Sequence, residues 1–448
     1  MYPFAAYVLR KYHELTGWNE DFYSKLTRSS TAILDFDVPH GVNFAISKSP
    51  TPLFKTTYTL QALPTLHGSL GYIFTSCPLD VGDSHVVPFE DLLGRFKIYG
   101  PPKRPEGKEE EWLAGQRVDT RDYLLYGRMY VPAQRIEALY SIRISPTLQG
   151  TIAAISEPGR FGTRPQRYGA PTTRSNLMFG LEHDIGRWCT EYSYSAEDGM
   201  WGARVLHHFG RLAGEAGSDK WVLGEGEKRV DEEDPMPGGL RGRFSAGAEV
   251  YFSAKEKSAG VSAGVRFTTL PDAAPPSLTQ THPPPLTSSS QPPTTITATF
   301  NPIVGQFSGA YAARVSRDIT LCSRYDFNMY SYETDWTMGA EWWMRRSKAR
   351  PLAPVPVPTS SHAVAPTPPT PQVPAQILAP PNPATEVEED EIQGVVKARI
   401  GTDASVSLMW EGRLRNTLIS LGVLSNLASP AKPIVNIGVE LAYFSFDQ

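Results

Sequence analysis

From residue 41 onward the chain alternates between apolar and polar positions. In "RGRFSAGAEVYF", Phe244, Ala246, Ala248, Val250 and Phe252 keep one phase while Arg243, Ser245, Gly247, Glu249 and Tyr251 keep the other. "SAGVSAGVRF" repeats the arrangement, with Ala259, Val261, Ala263, Val265 and Phe267 against Gly260, Ser262, Gly264 and Arg266. Side chains two apart share one face of a strand, so each stretch predicts a strand with one apolar face, and the polar "SAKEK" between them predicts a hairpin turn. Trp336, Met338, Ala340, Trp342 and Met344 oppose Gly339, Glu341 and Arg345 in the same way. At the end, "NIGVELAY" sets Ile437, Val439, Leu441 and Tyr443 against Asn436, Gly438, Glu440 and Ala442. About twenty such segments follow one another, each near the 9 to 11 residues that cross a bilayer when tilted. The period does not switch to that of a helix after residue 41.

Before that point the pattern differs. Phe4, Val8, Tyr12 and Leu15 lie at helical spacing with Arg10, Lys11 and Glu14 elsewhere on the wheel, which predicts a short amphipathic helix with these four on its buried side. The first residues lack the basic start, apolar middle and small-residue cleavage site of a secretory signal, so a docked helix is expected and export through a bacterial inner membrane is not. The chain therefore divides into a helical segment, 1–34, and one β domain, 35–448. Half of the 40 prolines fall in two tracts, 271–293 and 351–383, which read as extended loops. With the acidic stretches, they place long loops at about 100–122, 210–240, 271–293 and 346–393, and a moderate one at about 157–172. An even number of strands separates each long loop from the next, and an even number returns an antiparallel chain to the same side. All four should project from one rim.

Alternation does not say whether the apolar face looks into a soluble core or out to lipid. A soluble propeller would show a blade repeat of about 40 residues, and none is visible. If the apolar phase faces lipid, Arg243, Glu249 and Arg266 fall in a wet lumen instead of hydrocarbon, where each basic residue at mid-depth would cost about 2–4 kcal/mol. Only a closed sheet pairs strand backbones in hydrocarbon. The fold class is thus all-β, a transmembrane barrel.

The remaining chemistry narrows function by exclusion. A net charge of -4 gives no basic excess for nucleic acid. Three scattered cysteines, Cys77, Cys189 and Cys322, form no disulfide framework and no CxxC pair. The histidines show no metal-ligand spacing except His207 and His208, whose side chains on a strand point to opposite faces. With no nucleophile elbow, Walker loop or dinucleotide fingerprint, neither an enzyme nor a cofactor is expected.

The start "YVLRKYHELTGWN", then "ILDFDVPHGVNFAI", "GSLGYIFTSCPL" and the closing strand together resemble the fungal mitochondrial distribution and morphology protein 10 family, over the whole chain except its insertions. The resemblance implies a porin-like mitochondrial outer-membrane barrel of about nineteen strands, with the amino-terminal helix in or beside the lumen and the first and last strands paired in parallel. It also implies a subunit of the ER-mitochondria encounter structure that anchors soluble lipid-transfer proteins and an ER membrane anchor, supports phospholipid exchange and mitochondrial morphology, and associates with the sorting and assembly machinery. Asn436, Gly438, Leu441 and Tyr443 fit the carboxy-terminal sorting signal of mitochondrial barrels, read by pairing at a strand edge; the plain alternative is an amphipathic strand that contains a glycine. Tyr72 and Phe74 in "GYIFTS" are candidate partner contacts, with lipid-belt packing as the alternative. Two other functions stay open: a solute-conducting porin of the voltage-dependent channel type, and a barrel-embedded hydrolase.

Overall fold

The computed structural model describes residues 3–105, 112–113, 116–117, 121–157, 174–210, 242–269, 292–346, 391–428 and 433–446. Its alternating segments close into one nineteen-stranded sheet. The strands are β1 Gly41–Ser49, β2 Phe54–Leu63, β3 His67–Thr75, β4 Tyr123–Val131, β5 Ile136–Ser145, β6 Leu148–Glu157, β7 Arg174–Asp184, β8 Trp188–Ser195, β9 Met200–His208 and β10 Gly242–Ser253. They continue as β11 Ser258–Thr269, β12 Thr294–Asn301, β13 Gln306–Arg314, β14 Ile319–Asn328, β15 Thr334–Arg346, β16 Glu391–Gly401, β17 Ser405–Leu414, β18 Thr417–Asn426 and β19 Ile434–Phe446. Each pairs antiparallel with the next, and β1 meets β19 in parallel, Gly41 opposite Gly438 through Ser49 opposite Phe446. An odd strand count brings the first and last strands to the same direction, and closing them leaves no free sheet edge.

The apolar phase faces outward. Phe244, Val250 and Phe252 are exposed on β10, whereas Arg243 and Ser245 are buried. On β15, Trp336, Met338 and Trp342 are exposed while Thr337 and Glu341 are buried. This segregation puts the uncharged side chains where acyl tails lie and spares the guanidinium groups that cost. No helix among the described residues is long and apolar enough to cross a membrane.

The strand ends that carry the four expected long loops, at Thr75 and Tyr123, His208 and Gly242, Thr269 and Thr294, and Arg346 and Glu391, all lie at one rim, together with Phe446. Most residues of those loops, and those of the loop expected at about 157–172, lie outside the described residues. Short turns such as 50–53, 146–147, 185–187, 315–318 and 415–416 share that rim, and the opposite rim, where β1 begins, carries turns 64–66, 132–135, 196–199, 254–257, 302–305, 329–333 and 402–404.

The lumen departs from the expected wet interior. Two stretches of the chain fill it: 3–40, with helices α1 Phe4–Leu15 and α2 Arg28–Leu34, and 76–105, which turns inward after β3. Tyr7, Val8 and Tyr12 of α1 pack with Leu79, Val81, Val87, Phe89, Leu92 and Leu93, against Leu124, Trp343, Val395, Leu418 and Phe444 of the wall. Trp18, Phe22, Tyr23 and Leu26 sit on Cys189 and Leu206, and Ile33, Leu34 and Phe96 on Ala312 and Cys322. Each large apolar side chain so withdrawn from water contributes about 1.5–3 kcal/mol. Leu15 corrects the expected buried face of α1, being 55% exposed. It is the last residue of the helix, past the buried turn of Val8 and Tyr12, whereas Tyr7 joins that face and its hydroxyl donates to the Val81 carbonyl at 3.2 Å.

Candidate functional site

The terminal strand forms the seam of the barrel, and there the sequence motif splits in two. Leu441 and Tyr443 lie beside Phe44 and Ile46 of β1, on the apolar outer phase. Asn436 and Gly438 face inward, where the chain leaves the lumen through Val38, Pro39 and His40 to start β1. A Cβ at Gly438 would fall 2.3 Å from the Pro39 carbonyl oxygen, and one at Gly422 on β18 would fall 2.8 Å from Val38 Cγ1. Gly41, at φ +67°, would place a Cβ 2.0 Å from the Leu63 carbonyl oxygen. Only bare backbone fits at these three positions. Asn436 Nδ2 donates to the Val38 carbonyl at 3.4 Å, and its Oδ1 pairs with His40 Nδ1. The motif glycine thus has a packing role at the seam whether or not the strand is also read as a signal.

Tyr72 and Phe74 share the outer face of β3. The Tyr72 ring, half exposed, covers Gly127 of β4, where a Cβ would come within 3.5 Å of it. Phe74 begins a row with Tyr123 and Tyr140, ring centroids 6.1 and 6.3 Å apart in turn. The row lies toward the rim that carries the long connections.

Inside, charges that looked like pore lining act as latches. Asp21, almost wholly buried, accepts from Arg266 Nη2 at 2.7 Å and lies 3.6 Å from Arg243 Nη2 and 3.9 Å from His208 Nε2. Arg266 stacks on the Tyr99 ring at 4.2 Å, and Arg243 donates to the Gly100 carbonyl at 2.6 Å, so the same two arginines hold both inner stretches. Burial and the Asp21 carboxylate push the Tyr99 phenol up to about 12. Glu191 accepts from Ser24 N and Oγ at 3.1 and 2.7 Å, and Glu182 from Trp18 Nε1 at 3.0 Å. Arg324 meets Asp35 at 2.7 Å, Arg399 donates to the Leu34 carbonyl at 2.9 Å, and Lys397 donates to the carbonyls of Ala32, at 3.0 Å, and Gly94. Within the first stretch, Glu20 takes Arg28 Nη1 at 2.6 Å and lies 3.1 Å from His13 Nδ1. Burial works against its charge, but the His13 bond, Lys25 and Arg28 outweigh it and hold the carboxyl well below its ordinary range.

The apolar plug sits in the half of the lumen nearest the long connections. The other half keeps open space, including a cavity of about 320 Å³ between the start of α1 and the wall at β1–β4 and β19, and one of about 630 Å³ beside α2, lined by the Arg204–Glu249 and Arg324–Asp326 pairs. Among the described residues the two adjacent histidines part company. His207 turns outward onto Trp188, ring centroids 4.2 Å apart, while His208 turns inward, 3.8 Å from Cys189 Sγ. Cys189 also lies 3.4 Å from Asp184 Oδ1, but it is sealed beneath the plug where no substrate reaches it. Among the described residues no group of three or more His, Cys, Asp or Glu side chains is arranged to hold a metal ion.

The amino-terminal helix lies in the lumen as the resemblance implied; the second inner stretch, 76–105, is what the sequence reading missed. The trace of the plug was the run of apolar residues on otherwise polar phases: Leu124, Leu206, Trp343, Val395, Met409, Leu418 and Phe444, all buried.

The family described as mitochondrial distribution and morphology protein 10 matches residues 1–374 and 379–445. A protein of that name from Postia placenta is 58% identical over 464 aligned residues, covering 99% of this chain and 100% of its own. The Laccaria bicolor relative is 57% identical over 459 residues, with the same coverage. A more distant one, from Phaeosphaeria nodorum, is 35% identical over 450 residues, again across 99% of this chain and 100% of its own.

Proposed function

The chain belongs to the mitochondrial distribution and morphology protein 10 family, and from that premise we propose that it is a mitochondrial outer-membrane anchor of the ER-mitochondria encounter structure. It holds soluble lipid-transfer subunits and an ER membrane anchor in place, supports phospholipid exchange between the two organelles, and joins the sorting and assembly machinery during biogenesis of other barrels. The family's name ties it to mitochondrial distribution and morphology. The observation that carries the reading is the plugged lumen: with its interior occupied by its own chain, the protein keeps its wall and rims as working surfaces. No catalytic step is assigned to it. Asn436, Gly438, Leu441 and Tyr443 serve as the sorting signal, and Tyr72 with Phe74 as a contact for one encounter-structure subunit.

The plug also favours anchoring over solute conduction, because Asp21, Arg243, Arg266 and the apolar cluster around Tyr12 lie across the path a solute would take. The test is photo-crosslinking in intact mitochondria with a reactive amino acid at Tyr72, alongside planar-bilayer recording of the purified protein. Adducts with encounter-structure subunits and a silent bilayer are expected. Large selective conductance with no adduct at position 72 or at either rim would overturn the reading.

A further inference from the structure

Around the rim where β1 begins, the hairpin turns are chemically unequal. Turns 196–199 and 254–257 carry Glu197, Asp198, Lys255, Glu256 and Lys257. Turns 302–305 and 329–333, which join β12 to β13 and β14 to β15, instead expose Ile303 at 54%, Tyr330 at 67% and Tyr332 at 79%, together with Val304 and Met329.

These side chains are held out by a built surface. Asn301 Oδ1 accepts from the amides of Ile303 and Val304, both at 3.1 Å, and Asn328 Oδ1 accepts from Tyr330 at 2.9 Å and Ser331 at 3.1 Å. The two turns are also tied together: the Tyr330 hydroxyl donates to the Pro302 carbonyl at 2.8 Å, and the Met329 amide to the Gly305 carbonyl at 2.7 Å. A Cβ at Gly305 would fall 2.6 Å from Tyr330 Cδ2, so the ring rests on bare backbone. Apolar side chains fixed this firmly toward the outside cannot fold back under the turn.

The surface continues the lipid-facing wall. On the outer faces of these four consecutive strands Phe300 pairs with Phe307, Phe307 with Phe327, and Tyr325 with Trp336, while Ile296, Tyr311, Leu321 and Met338 are exposed further along the same strands. Aromatic girdles mark the two interfaces of a membrane barrel, so the turns begin where the headgroup layer does. Neither turn has a Lys or Arg, and the one acidic side chain, Glu333, accepts from Ser331 Oγ at 3.1 Å. That chemistry suits the zwitterionic interface of a bilayer and needs no charged partner.

We propose that turns 302–305 and 329–333 insert into the headgroup layer of the bilayer, deeper than the neighbouring turns 196–199 and 254–257 that carry the charges. The inference rests on the barrel being membrane-embedded, and the test separates the two. Cys77, Cys189 and Cys322 are buried, so single exposed cysteines can be labelled in the full chain. An environment-sensitive fluorophore is placed at Ile303→Cys, at Lys255→Cys and, on the wall, at Val250→Cys, in phosphatidylcholine vesicles with shallow or deep spin-labelled lipid. The Val250 label should be quenched by the deep lipid. The Ile303 label should be quenched several-fold more by the shallow lipid than the Lys255 label, without change on adding salt or anionic lipid. Equal quenching at 303 and 255 with normal quenching at 250 would overturn the insertion and leave the membrane reading intact; loss of quenching at 250 would overturn the membrane reading itself. Val304→Cys repeats the measurement, and a heat-shifted gel band confirms a closed barrel for each variant.

Discussion

Replacing Asp21 with Asn removes the one carboxylate among the described residues within reach of Arg266 and Arg243, both of which are buried. Breaking a buried ion pair by removing one partner typically costs about 3–5 kcal/mol, because the remaining charge stays desolvated and unneutralised. The cost falls on the docked state of the first inner stretch, since Arg266 and Arg243 regain water when that stretch leaves. At about 1.4 kcal/mol per factor of ten, the undocking equilibrium should rise roughly a hundred- to several-thousand-fold. Amide exchange reads such local opening directly, and the Lys25 and Leu26 amides, bonded to the carbonyls of Phe22 and Tyr23 at 3.0 Å each, are the reporters. In Asp21→Asn their protection should fall by that factor while the amides of the wall, such as those pairing β10 with β11, keep theirs. Lys11→Ala is the comparison. Its pair with Glu14, at 3.0 Å, is exposed on the Glu14 side and worth less than about 1 kcal/mol, so protection should drop by no more than about fivefold. Equal losses in the two variants, or no loss in Asp21→Asn, would refute the latch.

At the seam, Gly438→Val should prevent closure, because its Cβ would fall 2.3 Å from the Pro39 carbonyl oxygen; the heat-shifted gel band of a closed barrel should disappear. Leu441→Ser leaves that packing untouched, so a slower import and assembly time course with a normal closed band would support the signal role, and unchanged kinetics would remove it. Glu20 gives a pH dependence: its carboxyl is held below the ordinary range in the folded protein, so its contribution is complete above the unfolded value of about 4.3 and is lost as pH falls through the folded one. Protection at residues 20–28, taken relative to the intrinsic exchange rate at each pH, should therefore be level from neutral pH down to the unfolded value and fall below it, and Glu20→Gln should shrink the fall; a fall of the same size in Glu20→Gln would exclude Glu20 as its source.

The wall was legible in the sequence because a period of two allows one arrangement only: Phe244, Val250 and Phe252 on one side require Arg243 and Ser245 on the other. Odd closure was readable from the family likeness, whereas counting segments left nineteen or twenty open. The helical part of the plug was readable from the family likeness, but its second stretch was not, for a physical reason. Residues 79–96 bury Leu79, Val81, Val87, Phe89, Leu92, Leu93 and Phe96 in irregular backbone, so no period marks them. Their complement on the wall was visible but looked like noise, a Trp343 between Glu341 and Arg345, or a Val395 two before Lys397. Of the candidate site residues, those of the terminal strand were brought to one seam but divided between its faces, which period two also required once the outer face was known.

The seam connects these observations. The residues that leave the lumen, Val38 to His40, press against Gly422 and Gly438 of the last two strands and bond to Asn436. Strand β19 therefore closes against a surface made partly by the first stretch of chain, and its inward Phe444 packs 5.5 Å from Phe4 and 6.0 Å from Tyr7, ring to ring, at the other end. A sheet edge alone would offer β19 only the backbone groups of β1 and β18. With 3–40 already inside, it also meets an apolar partner at one end and a hydrogen-bonded corner at the other. Closing the barrel without the plug would leave Phe444 facing water and the Pro39 corner empty, so wall and plug stabilise one another and the closed, filled state is favoured over an open pore.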